Sequence, residues 1–163
     1  MQVSNFKDKL DKTLLTFSSF LLIMMVILSL WQIMARYVFN ISSPGTEEVT
    51  RYLLIWFGLM TAAYVFGAKK HIAILFFREK FSDKTVILFE RMTDILIILV
   101  SGILMVYGGI RVVLLTSAQT AAATGISMGI VYAALPVCGI LIIIYTIHSM
   151  LTSKENHNEG VGV

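Results

Sequence analysis

The side chains capable of chemistry stand at the edges of long apolar runs. Glu47 and Glu48 follow a Pro-Gly turn, and Arg51 lies four residues after Glu47. That spacing allows an ion pair on one face of a helix. Carboxylates in the first turn of a helix also favour the positive end of its dipole. The acidic pair can therefore cap a helix or bind a partner on one side of a membrane, and both interpretations stay open.

Three arginines and a histidine complete the candidate residues. Arg36, Arg51 and Arg111 lie near the ends of apolar runs, where a long side chain can extend to the membrane surface or bind a lipid phosphate or a partner. His71 closes an apolar run and can cap a helix or have a functional role. We treat the following six residues as candidate contacts for a partner or for phospholipids: Arg36, Glu47, Glu48, Arg51, His71 and Arg111.

The apolar runs lack the groups that catalysis or ion translocation would require. Run 14–35 contains no acid for a proton-coupled exporter, and His71 and His148 stand at run ends, unlike the paired ligands of a haem anchor. The single cysteine, Cys138, excludes an internal disulfide and a cysteine-rich metal site. The sequence therefore predicts no enzyme, no cofactor and no metal.

Composition limits the class of protein. The chain has 163 residues, of which 57% are hydrophobic. This proportion is typical of an integral membrane protein, since a soluble domain of this length could not bury so much apolar surface. The net charge is only +3 and the basic residues flank apolar runs, which argues against a nucleic-acid partner.

The length and apolar character of the runs predict an all-α fold with four transmembrane helices, at about 14–35, 52–68, 92–116 and 128–150. Run 14–35 matches the ~20 residues that span a bilayer and is too long for a signal peptide. Thr46 can cap the second helix, Ser82 can cap the third, and the fourth tolerates Pro136 with a kink. We expect one membrane domain over 1–151, with a flexible cytoplasmic tail over 152–163.

Segment 72–77 is apolar but too short to cross, so we predict that it lies in the membrane interface, or against another subunit, within a cytoplasmic middle loop. Basic residues predict the orientation. With both termini in the cytoplasm, ten of the 13 lysines and arginines lie inside and three outside, as the positive-inside rule requires. Two pairs of small residues four apart in the second helix, Gly58 with Ala62 and Ala63 with Gly67, could allow close helix contacts.

Several short motifs, in this order and spacing, resemble the small membrane subunit of TRAP (tripartite ATP-independent periplasmic) transporters of the DctQ type. The motifs are Arg36-Tyr37-Val38-Phe39-Asn40, Thr46-Glu47-Glu48, Arg51-Tyr52, Lys70-His71-Ile72, Gln119-Thr120 and Leu135-Pro136. The resemblance covers roughly 14–150. It departs at Ile74-Leu75, where the family often has an acid, and before the last helix, where it often has a proline.

The resemblance implies a non-catalytic scaffold in the bacterial inner membrane. It implies two partners, a large membrane subunit that carries the substrate and sodium sites and a periplasmic binding protein that delivers an organic acid. Sialic acid is the first substrate we expect and a C4-dicarboxylate the second. The alternative from another class is an autonomous four-helix carrier or channel that forms homo-oligomers. A membrane-bound enzyme subunit is disfavoured, because ligands for a cofactor are missing.

Overall fold

The computed structural model describes the backbone of residues 2–78 and 83–159, with the side chains of 7–67, 88–89 and 91–151. Its helices are α1 (Gln2–Tyr37), α2 (Pro44–Arg78), α3 (Asp83–Val100), a π-helical segment (Ser101–Gly108), α4 (Gly109–Thr116), α5 (Met128–Tyr132) and α6 (Ala134–Glu159). Four stretches are long and apolar enough to cross a membrane: Lys7–Tyr37, Pro44–Gly67, Arg91–Thr116 and Met128–Leu151. The all-α fold with four transmembrane helices is thus confirmed.

Helix α2 begins earlier than the sequence suggests. It starts at Pro44, whose fixed φ and missing N–H suit the first position of a helix. The hydroxyl of Thr46 donates to the carbonyl oxygen of Ser43 at 2.9 Å, one turn back, so Thr46 lies inside the helix. The prediction that Thr46 caps this helix is wrong. Ser82, the expected cap of the third helix, lies outside the described residues.

Two helices continue past their apolar runs. Segment 72–77, predicted as a separate interfacial segment, has the backbone of α2, and 152–159, predicted as a flexible tail, belongs to α6. Neither segment contains proline or glycine, and extending an existing helix avoids the cost of nucleating a new one. Both segments are therefore helical. The interfacial position of 72–77 and the flexibility of the tail stay predictions, and 160–163 lie outside the described residues.

Helix α6 lies at the centre of the molecule. In the most apolar stretch of its span 44% of the residues are buried, against 17%, 11% and 11% in the other three. It packs against α2 on one side and against α3 and the π-helical segment on the other, and α1 packs on α2. Ala63 of α2 forms a buried cluster with Cys138 and Ile142 of α6. The Cys138 thiol donates to the carbonyl oxygen of Leu59 at 3.0 Å.

The third span contains an unusual π-helical turn pattern over eight residues. A π-helix is wider than an α-helix and often appears where packing or function requires it. Here Gly139 of α6 lies against it. A Cβ on Gly139 would come within 2.7 Å of the Met105 Cβ and 3.2 Å of the Ser101 carbonyl oxygen. The two backbones thus approach as closely as glycine permits.

The fourth span is interrupted three residues before Pro136. The span divides into α5 and α6 at Ala133, since a proline lacks the N–H and its ring clashes with the carbonyl of the residue four earlier, here Tyr132. The ring faces Gly109, where an added Cβ would lie 2.8 Å from Pro136 Cδ.

Further along α6, Tyr145 contacts both α1 and α2. Its ring is buried in a cluster with Leu14 of α1 and Met60 of α2, and its hydroxyl donates to a carboxylate oxygen of Asp11. The ring also lies directly over Gly67, so that a Cβ there would be 2.5 Å from it. The pair Ala63 and Gly67 is therefore used inside the molecule.

Gly67→Ala should destabilise the protein, because the new methyl group would displace the Tyr145 ring from a packed site. Overpacking of this kind costs about 1–3 kcal/mol. The measurement is the midpoint of thermal unfolding of the purified protein in detergent. The matched control is Gly58→Ala, since an added Cβ at Gly58 meets no atom within 4 Å. Equal midpoints for the two variants would contradict the packing described here.

Candidate functional site

Three of the six candidates, Arg36, Glu47 and Glu48, lie where the connection 38–43 and the loop 117–127 meet, which we call the loop end. Asn40 turns the first connection with a φ of 53°, a conformation that asparagine tolerates better than most residues. The amide of Gln32 in α1 donates to the Thr50 hydroxyl of α2 at 2.8 Å. That hydroxyl in turn donates to the carbonyl oxygen of Thr46. This chain of bonds fixes the ends of α1 and α2 against each other.

Arg36 and Glu47 line one cavity at the loop end, of about 240 Å³. Arg36 lies in the last turn of α1 and Glu47 in the first turn of α2, where each charge suits the helix dipole. Both side chains are exposed. The other six lining residues come from the end of α1 and the connection: Gln32, Ile33, Tyr37, Ile41, Ser42 and Ser43. The structure therefore brings these two candidates together.

Glu48 does not line that cavity and instead binds the loop 117–127. One of its carboxylate oxygens, Oε2, accepts hydrogen bonds from the backbone N–H of Ala123 at 3.1 Å and of Thr124 at 2.8 Å, and from the Thr124 hydroxyl at 2.9 Å. Hydrogen bonds to an ionised group are stronger than neutral ones. Glu48 thus connects α2 to a loop 75 residues further along the chain.

The loop itself is ordered by its backbone. The N–H of Ala121 donates to the carbonyl oxygen of Ile126 at 2.8 Å, and that of Met128 to Gln119 at 2.9 Å. Gly125 adopts a φ of 68°, which favours glycine. Ser127 caps α5, accepting from the Gly129 N–H, and its hydroxyl donates to the carbonyl oxygen of Ser117. The loop therefore presents a fixed, uncharged surface.

The role of Glu48 was not foreseen from the sequence. The available signal was a loop of small uncharged residues, whose backbone N–H groups need acceptors, at the same end as an unassigned carboxylate. Glu48 binds the loop through its Oε2 atom, and its contact with a partner stays a prediction. Glu47, its neighbour in the sequence, makes no hydrogen bond or ion pair with the loop among the described residues.

The remaining candidates are separate from one another. Arg51 is exposed on α2, and within the described part of the chain it forms no ion pair with Glu47. Arg111 on α4 donates to the Tyr107 hydroxyl at 2.8 Å and lies over that ring at 5.3 Å, an attraction typical of a cation and an aromatic face. His71 belongs to α2, but its side chain lies outside the described residues.

The described residues include no group of three or more histidine, cysteine or acidic side chains that could hold a metal ion. The chemistry available at the loop end is ionic and hydrogen-bonding contact with another molecule.

Comparison with known proteins assigns the family. The profile of the DctQ component of tripartite ATP-independent periplasmic transporters matches residues 25–155, which is most of the chain. The chain belongs to this family. It is also 28% identical over 122 residues to a protein of Haemophilus influenzae described as a TRAP transporter small permease, with 75% of each chain covered.

Membership confirms the resemblance seen in the sequence. The chain is a TRAP transporter small subunit, a component of a transporter and not an enzyme. Its family and its four spans make it a multi-pass protein of the bacterial inner membrane. The family implies a large membrane subunit and a periplasmic binding protein as partners.

Glu48→Ala should release the loop 117–127 from α2, because the three hydrogen bonds that Glu48 accepts from the loop are lost together. Hydrogen exchange at the amides of Ala123 and Thr124 should then accelerate towards that of unprotected amides, while the spans keep their protection. Glu47→Ala is the matched control and should leave exchange in the loop unchanged. Slow exchange at both amides in the Glu48 variant would show that the loop holds its shape without the carboxylate.

Proposed function

We propose that this TRAP small subunit is a non-catalytic scaffold for a large membrane subunit, in sodium-coupled uptake of an organic acid that a periplasmic binding protein delivers. Sialic acid is the first substrate that we propose, and a C4-dicarboxylate the second. Both termini would lie in the cytoplasm, as the distribution of basic residues predicts, which places the loop end on the periplasmic side.

The proposal rests on the lack of ionisable residues inside the spans. No Asp, Glu, Lys, Arg or His occurs in 14–35, 52–68, 95–110 or 128–147. Ionisable groups inside a membrane mark ion and substrate pathways. A subunit without them is suited to support a partner that binds the substrate and the ion.

Helix α2 offers a face for that partner. Ala63 and Gly67 are occupied inside the molecule, whereas Gly58 and Ala62 are exposed. Lipid tails are as apolar as leucine, so helices in membranes associate through close van der Waals packing, for which small residues are suited. We propose that the large subunit packs on the face containing Gly58 and Ala62.

Co-purification tests the function. The tagged chain is expressed with its neighbouring genes, solubilised gently and analysed for bound proteins. The scaffold proposal expects a large multi-span protein in stoichiometric amount. A chain that is recovered alone or as a homo-oligomer would overturn it and favour the autonomous carrier or channel.

Gly58→Leu and Ala62→Leu should reduce recovery of the large subunit, because a leucine in a close helix contact costs about 1–3 kcal/mol. Each variant should keep its helical content and its yield, since both positions are open in the isolated chain. The matched control is Gly102→Leu on the third span, where an added Cβ also meets no atom within 4 Å. Unchanged recovery with both α2 variants would place the partner on another face.

The loop end would face the binding protein. Arg36, Glu47 and Arg51 are exposed there, and Glu48 fixes the loop beside them. Charge reversal of Arg51 should lower uptake without changing recovery of the large subunit, because an exposed charge at a docking surface mainly affects association with the docking protein. Normal uptake by an Arg51→Glu variant at equal expression would indicate that this arginine contacts only the membrane surface and not the binding protein.

A further inference from the structure

The scaffold role does not explain the cavity between Arg36 and Glu47. It is formed by the end of α1, the connection 38–43 and the start of α2. It contains one cation and one anion, together with the hydroxyls of Ser42 and Ser43. In the described part of the chain neither charged side chain takes part in a hydrogen bond or ion pair. A cation and an anion that share a cavity without pairing complement a ligand that carries both charges.

The surroundings place this cavity at the membrane surface. Tyr37, which lines it, is 77% exposed, and the rings of Trp31 and Phe39 contact each other nearby with centroids 6.4 Å apart. Aromatic side chains with this exposure at the end of a span are typical of the headgroup level of a bilayer.

An apolar stripe descends from the cavity along α1. Ile33 lines the cavity, and Leu30 and Val26 follow it at helical spacing on the same face, each more than half exposed. A lipid whose headgroup enters the cavity could therefore lay an acyl chain along this stripe. A soluble zwitterion would have no use for it.

We infer that the cavity between Arg36 and Glu47 binds a zwitterionic phospholipid with a primary amine, phosphatidylethanolamine. The guanidinium of Arg36 binds the phosphate, which matches its planar fork of donors. The carboxylate of Glu47 accepts hydrogen bonds from the ammonium group. A choline headgroup has no N–H to donate, and a glycerol headgroup offers only neutral hydroxyl donors, so neither gives Glu47 a hydrogen bond from a cation.

Native mass spectrometry of the purified full-length chain tests this site. The chain is delipidated and offered an equimolar mixture of phosphatidylethanolamine, phosphatidylglycerol and phosphatidylcholine with identical acyl chains. The wild-type chain should retain phosphatidylethanolamine about fivefold over each of the others, which corresponds to a difference of about 1 kcal/mol. Because the chain is tested alone, the result does not depend on whether a transport complex forms.

Two variants give different signatures. Glu47→Gln should remove the preference and leave retention of all three lipids at a similar level, because only the ammonium contact is lost. Arg36→Gln should lower retention of all three, because each carries the phosphate. Arg111→Gln, an exposed arginine that already binds Tyr107, is the control and should keep the preference. Equal retention of the three lipids by the wild-type chain, or a preference that survives Glu47→Gln, would overturn the inference and leave the cavity to polar groups of a protein partner.

Discussion

The structure depends on the cost of placing charged groups in hydrocarbon. Such groups lose their hydration there and are tolerated only with a compensating partner or function. In this chain the apolar interiors of the spans hold none, and the charged residues lie near or beyond the ends of the spans. One consequence is structural, since helix packing inside the membrane must come from close contact of apolar and small side chains. The other is functional, since recognition of other molecules by charge is confined to the membrane surfaces.

Helix α6 shows how such packing is achieved. Its glycine and proline residues fit against the third span, where the π-helical segment widens the backbone, and its Tyr145 closes over Gly67 of α2. Ser18 and Thr61 each bury a hydroxyl that has no hydrogen-bond partner within the described chain. Hydrogen bonds therefore stabilise only some of the polar groups in this interior. The outer surfaces of α1 and of the third span remain apolar and exposed, as a lipid environment or a membrane partner requires.

The number and type of the spans could be predicted from the sequence, because length and hydropathy alone decide whether a segment can cross. The bounds of the helices could not be predicted. Extending α2 through 72–77 and α6 through 152–159 changes the free energy of folding only slightly, so the sequence carries no clear marker of the helix ends. Glu47 and Glu48 show a further limit. They are adjacent and identical, yet one lines a cavity and the other binds a loop 75 residues away. Only the tertiary arrangement separates them.

Transport by reconstituted proteins tests the central claim most directly. Proteoliposomes containing the chain alone, and others containing it with the large subunit, are given a sodium gradient, labelled sialic acid or C4-dicarboxylate, and the binding protein. A scaffold predicts uptake only when the large subunit is present, with the chain alone no different from empty vesicles. Sodium-dependent accumulation by the chain alone would contradict the account, because it would require an ion and substrate pathway that its spans do not provide.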